Sequence, residues 1–489
     1  MHVRTDWLWL LSGAFLGSAF IEPVLWWCVF VGLYLLFVVI TKTNSYKRIL
    51  IGSFGTGLVM NACVVSWCWS TYPISTLEST SIFLQLALIG LYIFLTSFVL
   101  SYGVTLFALS VKYISSHNFL FIILAPVAWV FSEMFGAYIF SVGTLGEGSV
   151  VGIDFSFNHI GYVAAQNPLL LKYFSFLGVY SLSYVLVLIT SITFIYCKYT
   201  AAYKRRFLFC GVLFLLIVTS LYVPKTSYTY KGEKVVVVET YFDKTFFIQK
   251  DAYSRKRDIL KHAVVEALKT HANTILLPED SRFSENFTDE SELFAWIHSI
   301  NQNFKGVLID SGRVTNEHGD VVMRAYVYDV QSQNVTYTDK QYLVPQGEYI
   351  PYLFKQLLPL FVSPEIWKEA QNTLAYTKGS AGTIKNTSSR VPAILFCSES
   401  VSPFGVRNAL NNHSAEWIAH PISHAWYTKP TILWYQLDNM LRVQASWNKV
   451  PIVSANNMSE SKLYLPSGEI KTGKTLVENS QWSIKQFDL

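Results

Sequence analysis

At 489 residues the chain is long enough for two or three domains, and 52% hydrophobic, 16% aromatic and 15% charged residues do not describe one average water-soluble protein. The net charge of +5 is small and scattered, with no basic tract to track a nucleic-acid backbone, which argues against that class of partner. The averages hide a split near residue 224. Before it charges are sparse and apolar runs long; after it Lys, Asp, Glu, Asn and Ser return at densities normal for a soluble domain.

A membrane-spanning helix needs roughly 20 mostly apolar residues. Seven stretches meet or approach that length, at about 7–22, 23–40, 50–72, 82–111, 118–140, 172–196 and 207–223. The first is read as a helix and not a signal peptide, because Arg4 is followed by Asp6, no small-residue cleavage site is obvious and more apolar segments follow at once. Lys and Arg favour cytoplasmic loops. Here they alternate: Arg4 precedes the first stretch, Lys42, Lys47 and Arg48 follow the second, Lys112 the fourth, and Lys198, Lys204, Arg205 and Arg206 separate the last two. Loops 73–81 and 141–167 contain neither residue type. The pattern puts the N-terminus inside and, after an odd number of crossings, everything beyond residue 224 outside. Glu133, within the fifth stretch, is costly in lipid and is expected to face the bundle interior with a structural partner.

Of six cysteines, Cys28, Cys63, Cys68, Cys197 and Cys210 fall in or beside the apolar stretches, and Cys397 alone lies in the soluble part. A single thiol on the oxidising side of a membrane makes no disulfide within its domain, so Cys397 is either a small buried residue or a used one.

The soluble part opens on a strand at Lys234–Glu239 whose β-branched run reads as buried on both faces. An amphipathic helix follows at 248–270, with Ala252, Ile259, Leu260, Ala263, Val264, Ala267 and Leu268 at helical spacing. A strand at Thr274–Leu277 stops at Pro278-Glu279-Asp280, the sheet end where α/β domains place their chemistry. Next come a helix near 290–302, a strand at Gly306–Asp310, a hairpin through Val321–Val330 and Val335–Lys340, and a strand at Val391–Phe396 ending at Cys397. A helix at 431–447, a strand at Val450–Ser454 and a hairpin turning on Ser467-Gly468 complete a layered α/β domain. No repeat, phosphate-binding loop or zinc-type Cys/His spacing stands out. His413, His420 and His424 read as loop residues, not as a metal site.

Glu279, Lys340 and Cys397 thus stand at strand ends or in the loop before a turn. A cysteine nucleophile needs a base to take its proton and a cation to favour first the thiolate and then the oxyanion, and Glu, Lys and Cys together supply both. Pattern alone leaves the alternatives open, with Glu279 a solvated loop acid and Lys340 a surface lysine.

The segment Lys340-Gln-Tyr-Leu-Val-Pro-Gln-Gly-Glu-Tyr-Ile-Pro351 resembles the Lys-x-x-Leu-Val-Pro-Phe-Gly-Glu-x-x-Pro signature of bacterial apolipoprotein N-acyltransferases, nitrilase-superfamily enzymes on a helical membrane domain. Pro278-Glu279 resembles the family's base position, and Cys397-Ser398-Glu399 its Cys-Tyr-Glu nucleophile. Ala425-Trp426-Tyr427 is similar to its Ala-Trp-Phe, and Ser454–Asn457 and Pro466–Ile470 to its closing motifs. Gly57 to Trp67 and Gly178-Val179-Tyr180 are weaker local matches in the first half. The sequence departs at Ser398, where the family has Tyr, at His424, where it has Asp, and at Met458, where it has Gly. Members commonly add one more transmembrane helix; this chain stops at Phe487-Asp488-Leu489 with no apolar run, so its C-terminus is expected to stay periplasmic.

The resemblance implies a multi-pass helical membrane bundle, residues 1–223, and an α/β nitrilase-like α-β-β-α sandwich, residues 224–489, in the bacterial inner membrane with the sandwich in the periplasm. It implies transfer of an acyl chain from a membrane phospholipid, through a thioester on Cys397, to the amine of diacylglyceryl-cysteine in apolipoproteins. Glu279 would be the base and Lys340 the oxyanion cation. Glu348, Ser398 and Glu399 would support them, and Trp426 and Tyr427 would line the substrate pocket. No cofactor or metal is implied, and a monomer is expected. A membrane amidase or lipid hydrolase, an acyltransferase with another acceptor, and a non-catalytic lipid-binding scaffold stay open.

Overall fold

A computed structural model of the chain describes residues 6–74, 81–199, 202–220, 232–249, 251–360, 362–379, 391–411 and 415–489. Its first part is helical: α1 (Asp6–Ser18), α2 (Cys28–Lys42), α3 (Tyr46–Val64), α4 (Ile82–Ile114), α5 (Asn118–Gly143), α6 (Pro168–Phe174), α7 (Val179–Tyr199) and α8 (Ala202–Ser220). Helices therefore fall at all seven expected places. Among the described residues three of them, α4, α5 and α7, are long and apolar enough to cross a membrane by length and composition. Three expected boundaries are corrected. The second stretch begins with a short 3-10 turn at Pro23–Leu25, the third ends in 3-10 helix at Ser66–Thr71, and the sixth divides into α6 and α7. Gly178, at φ +61°, makes that last break, in a left-handed conformation that ends a right-handed helix at little cost only for glycine.

With lipid outside, helix association relies on close packing more than on water exclusion. A Cβ on Gly103 of α4 would lie 2.5 Å from the Ser132 carbonyl oxygen of α5, and one on Gly57 of α3 would lie 2.8 Å from the Ser101 Cα of α4. Buried Glu133 has the structural partners expected of it: it accepts from Trp129 Nε1 at 2.8 Å and from the Ile160 amide at 2.7 Å.

The second part contains β1 (Lys234–Thr240), α9 (Lys244–Ile248), α10 (Ala252–Leu268), β2 (Thr274–Leu276), α11 (Glu290–Ile300), β3 (Val307–Thr315), β4 (Val321–Asp329) and β5 (Asn334–Asp339). These are followed by α12 (Tyr352–Leu357), α13 (Pro364–Thr373), β6 (Ala393–Ile394), α14 (Gly405–Leu410), β7 (Ile418–Ser423), α15 (Thr431–Asn448) and β8 (Ile452–Asn457). The chain ends with β9 (Lys462–Tyr464), β10 (Ile470–Thr472), β11 (Lys474–Glu478) and β12 (Trp482–Asp488). One sheet runs β11-β12-β1-β2-β3-β4-β5 and the other β6-β7-β8-β9-β10, joined where Thr240 pairs with Asn457.

Alternation along the strands builds three layers of core. Val235, Val237, Leu276, Ile309 and Ala325 of one sheet meet Phe396, Ala419, Val453 and Ala455 of the other. Val236, Val238 and Ile275 face outward onto Leu260, Val264 and Ile297 of α10 and α11. Ile418 and Ile452 face outward onto Leu441 and Ala445 of α15. This is the expected α-β-β-α sandwich. Several boundaries differ from the sequence reading. β8 starts after Pro451, because proline gives no ladder N–H, and β6 pairs over only two residues before the backbone turns into the Cys397 segment. β11 and β12 are additional, and β12 lies antiparallel to β1 inside the sheet.

α15 joins the two parts. Its Leu437, Met440 and Val443 belong to the apolar cluster of the helical part, while Leu441 and Ala445 cover the sheet. Tyr435 Oη donates to the Ala19 carbonyl at 3.0 Å, and Gln436 Nε2 donates to the carbonyls of Phe20 (3.2 Å) and Val64 (2.8 Å). A Gln436→Leu substitution leaves both carbonyls buried without this donor, at a cost of about 1–3 kcal/mol. The expected result is a lower thermal unfolding midpoint in detergent; an unchanged midpoint would mean that α15 is not held to α1 and α3 through this side chain.

Candidate active site

Each candidate catalytic side chain leaves a strand where the pairing stops. Glu279 follows β2 in a turn whose Asp280 and Arg282 have φ of 55°. That turn is tied down from below: Lys256 Nζ donates to the Asp280 carbonyl at 2.5 Å, and the Asp280 amide donates to Ser311 Oγ at 3.0 Å. Lys340 follows β5, its amide bonded to the Met323 carbonyl at 2.9 Å. Cys397 opens a 3-10 turn three residues after the end of β6.

The three converge. Lys340, 1% exposed, donates to Glu279 Oε1 at 2.9 Å and to Glu348 Oε1 at 2.6 Å. The other Glu348 oxygen accepts the Val344 amide at 2.8 Å, which locks the Lys340–Pro351 segment around its own lysine. Cys397 is half-buried, and its sulfur lies within electrostatic reach of Glu279, Lys340 and Glu348.

Burial raises the Glu279 carboxyl to about 7, against the lowering influence of Lys340 and with further upward push from Glu348. Burial works against the Lys340 charge, but Glu279, Glu348 and Cys397 outweigh it and hold the ammonium well above its usual range. Burial, then Glu279, pushes the Cys397 thiol well up, with Lys340 opposing. The resting arrangement is thus a charged lysine, a neutral thiol and a carboxyl group poised near neutrality, which suits a base that takes a proton as the sulfur attacks.

Glu399 and Ser398 tie the Cys397 turn to the lysine segment. Glu399 accepts the Gln341 amide at 2.7 Å and the Phe396 amide at 2.9 Å, and Ser398 Oγ donates to the Tyr342 carbonyl at 2.5 Å. Tyr427 stacks edge-on against Trp67 of the helical part, with ring centroids 5.7 Å apart, and lies near Cys397; Trp426 is half exposed beside it.

The sequence reading missed two contributors. Lys256 falls on the apolar stripe of α10, in step with Ala252 and Leu260, and a lysine in that register was the available signal; burial lowers its ammonium to about 8. Asp154, in the loop between α5 and α6, accepts from Ser402 Oγ at 2.7 Å, five residues beyond Cys397. No local pattern marks it. The loop reading of His420 is corrected as well: it lies within β7, opposite Ser454, and is buried. His424 stands in the loop just beyond β7, as read, and is buried too; His413 lies outside the described residues.

The model of the apolipoprotein N-acyltransferase N-terminal domain matches residues 12–192. The apolipoprotein N-acyltransferase of Rickettsia prowazekii is 23% identical, over 95% of this chain and 87% of its own. That of Geobacter metallireducens is 22% identical, over 96% and 87%. Apolipoprotein N-acyltransferase 1 of Treponema denticola is 21% identical, over 78% and 74%. Among solved structures, a NitN amidase from Nesterenkonia sp. AN1 aligns with 53% of this chain and 92% of its own at 15% identity, with a TM-score of 0.36. The family resemblance read from the motifs therefore extends over nearly the whole chain.

Glu399→Gln keeps the size of the side chain but sets an NH2 group against one of two backbone amides. We expect a loss of about 1–3 kcal/mol in stability and slower alkylation of Cys397, measured by mass spectrometry against wild type. Unchanged alkylation would show that Glu399 does not set the thiol's environment.

Proposed function

On the premise that this chain is similar to the apolipoprotein N-acyltransferases in its helical part and its sandwich alike, we propose that it transfers an acyl chain from a membrane phospholipid to the N-terminal amine of diacylglyceryl apolipoproteins. One observation carries the reading. The half-buried Cys397 that lies near Glu279 and Lys340 also packs against the apolar cluster that contains the bundle helices. A thiol in that position is supported as a target for lipid substrates that never leave the membrane.

In the proposed cycle Glu279 takes the Cys397 proton as the sulfur attacks the ester carbonyl. Lys340 and the N–H after Cys397 stabilise the oxyanion, with Glu348 holding the lysine. Collapse breaks the ester C–O bond; the lysophospholipid leaves with the proton from Glu279, and a thioester remains on Cys397. The acceptor amine then attacks that thioester, Glu279 receives its proton, the new amide leaves and the thiol is reprotonated. Residues 1–223 would be the membrane part, crossing about seven times with a cytoplasmic N-terminus. Residues 224–489 would form the periplasmic catalytic part, with Trp426 and Tyr427 at the substrate mouth. The protein would work as a monomer in the inner membrane.

The test is intact-mass analysis of the purified protein incubated with phospholipid. An acyl-sized gain is expected in wild type, absent in Cys397→Ala and discharged by a diacylglyceryl peptide. Release of lysophospholipid without an adduct would point to a hydrolase, and neither product would overturn the reading. Because Glu279 must be unprotonated to act as base, and burial raises it to about 7, the acylation rate should climb with pH through about 7. A rate flat from pH 5 to about 8 would remove Glu279 from the base role.

A further inference from the structure

β6 and β7 run parallel with Ile394 opposite Ala419, and extending that register brings Cys397 alongside Ile422 and Ser423 at the far end of β7. There the backbone N–H of Ser423 donates to the Cys397 sulfur. An N–H aimed at a sulfur favours its ionised form, as a nearby cation does. Lys340 comes from the first sheet and Ser423 from the second, so the two donors reach the sulfur from different halves of the sandwich.

The end of the neighbouring strand holds Ser423 in place. Ser423 lies opposite Asn457, the last residue of β8. Asn457 Nδ2 donates to Ser423 Oγ at 3.1 Å, and the Asn457 carbonyl accepts the His424 amide at 3.0 Å, so the end of β7 is gripped by side chain and backbone alike. The other bonds of the carboxamide run to the first sheet. Nδ2 donates to the Phe242 carbonyl at 2.8 Å, and Oδ1 accepts the Thr240 hydroxyl and the Phe242 amide, each at 2.9 Å. Phe242 fixes which end is which, because its N–H can only give and its C=O only take. Both N–H groups and both lone pairs of one buried carboxamide are therefore used.

Thr240 and Asn457 are also the pair that joins the two sheets. Glu279 and Lys340 stand on one sheet and Cys397 follows a strand of the other, so this seam, with the bonds of Ser398 and Glu399, holds the two halves of the cluster together. Met458, next in the chain, has φ +66° and donates its amide to the Thr240 carbonyl at 2.8 Å. A side chain in that left-handed conformation persists only where surrounding bonds over-determine it. Glu279, Lys340, Glu348 and Tyr427 also lie within electrostatic reach of the sulfur, and among the described residues none of them is bonded to Asn457.

We propose that Asn457 is a positioning residue for Cys397: through Ser423 it aims a backbone N–H at the sulfur and so favours the thiolate. That role rests on the acyl-transfer reading, in which Cys397 is the attacking sulfur.

The test is the pH profile of Cys397 alkylation by iodoacetamide, followed at the Cys397 peptide by mass spectrometry. It uses the full chain in detergent as wild type, Ser423→Ala, Asn457→Ala and the double variant. Losing one hydrogen bond to a thiolate displaces the profile by about one pH unit. Tenfold less thiolate, partly offset by its higher intrinsic reactivity, leaves alkylation about threefold slower at a given pH. That displacement toward higher pH is expected in Asn457→Ala, with a shift in the same direction in Ser423→Ala and no further shift in the double variant. A merely structural role would loosen the packing, expose the thiol and speed its alkylation. Faster or unchanged alkylation in either single variant, or shifts that add in the double one, would overturn the proposal; if Asn457→Ala fails to fold, Ser423→Ala alone decides. Thioester formation from phospholipid is read separately in wild type. Its absence alongside the expected displacement would sink the acyl-transfer reading and leave the link from Asn457 to the sulfur standing.

Discussion

A lysine ammonium that is 1% exposed survives in a protein interior only if anions are fixed around it, and at Lys340 those anions are Glu279 and Glu348. That requirement governs much of the sandwich. The β2 turn must present Glu279, the segment after β5 must fold back so that Glu348 reaches its own lysine, and the Cys397 turn must close the remaining side. Removing one partner from such a buried group typically costs about 3–5 kcal/mol, so the cluster is as much a constraint on the fold as a chemical device. Lys256 beneath Asp280, and Glu399 bridging two backbone amides, are the supports that keep the geometry from relaxing.

The second constraint is that the Cys397 turn sits on the bundle side of the sandwich, packed against the apolar cluster of the helical part. α15 meets it by burying two faces, one on β7 and β8 and the other on α1, α3 and the 160–166 turn. A helix with two buried faces has little room for solvated charge. Its polar residues instead become connectors, with Gln436, Asn439 and Ser446 each bonded across the junction. The loop between α5 and α6 adds a second tie through Asp154 and Ser156, which grip Ser402 and Val401 just beyond Cys397. Bundle packing and the position of the sulfur are thus mechanically linked.

Much of this was legible in the chain. β1, whose β-branched run is buried at nearly every position, the β4–β5 hairpin, and α15 were readable because the composition of each single local run is enough to name the element. β12 was not, because Trp482 and Ile484 face one core layer and Phe487 another, with Lys485 between them paired to Glu239, so the alternation that begins at Trp482 changes phase before the strand ends. His420 misled for a related reason: a polar residue suggests a loop until an adjacent strand supplies the ladder that buries it.

The two-part organisation, the run of apolar helices, the strand-end placement of Glu279, Lys340 and Cys397, and the motif around Glu348 are all readable along the chain. All of these rest on local period, local composition or short spacing, which a linear string preserves. Packing between distant segments is what makes Glu279 and Glu348 share one ammonium and what sets Asp154 and Lys256 against the site. Each of those facts joins residues far apart in the chain through burial. Whether a buried charge or hydrogen-bonding group has a partner is settled by what folds against it, and that information lies in no single stretch of sequence.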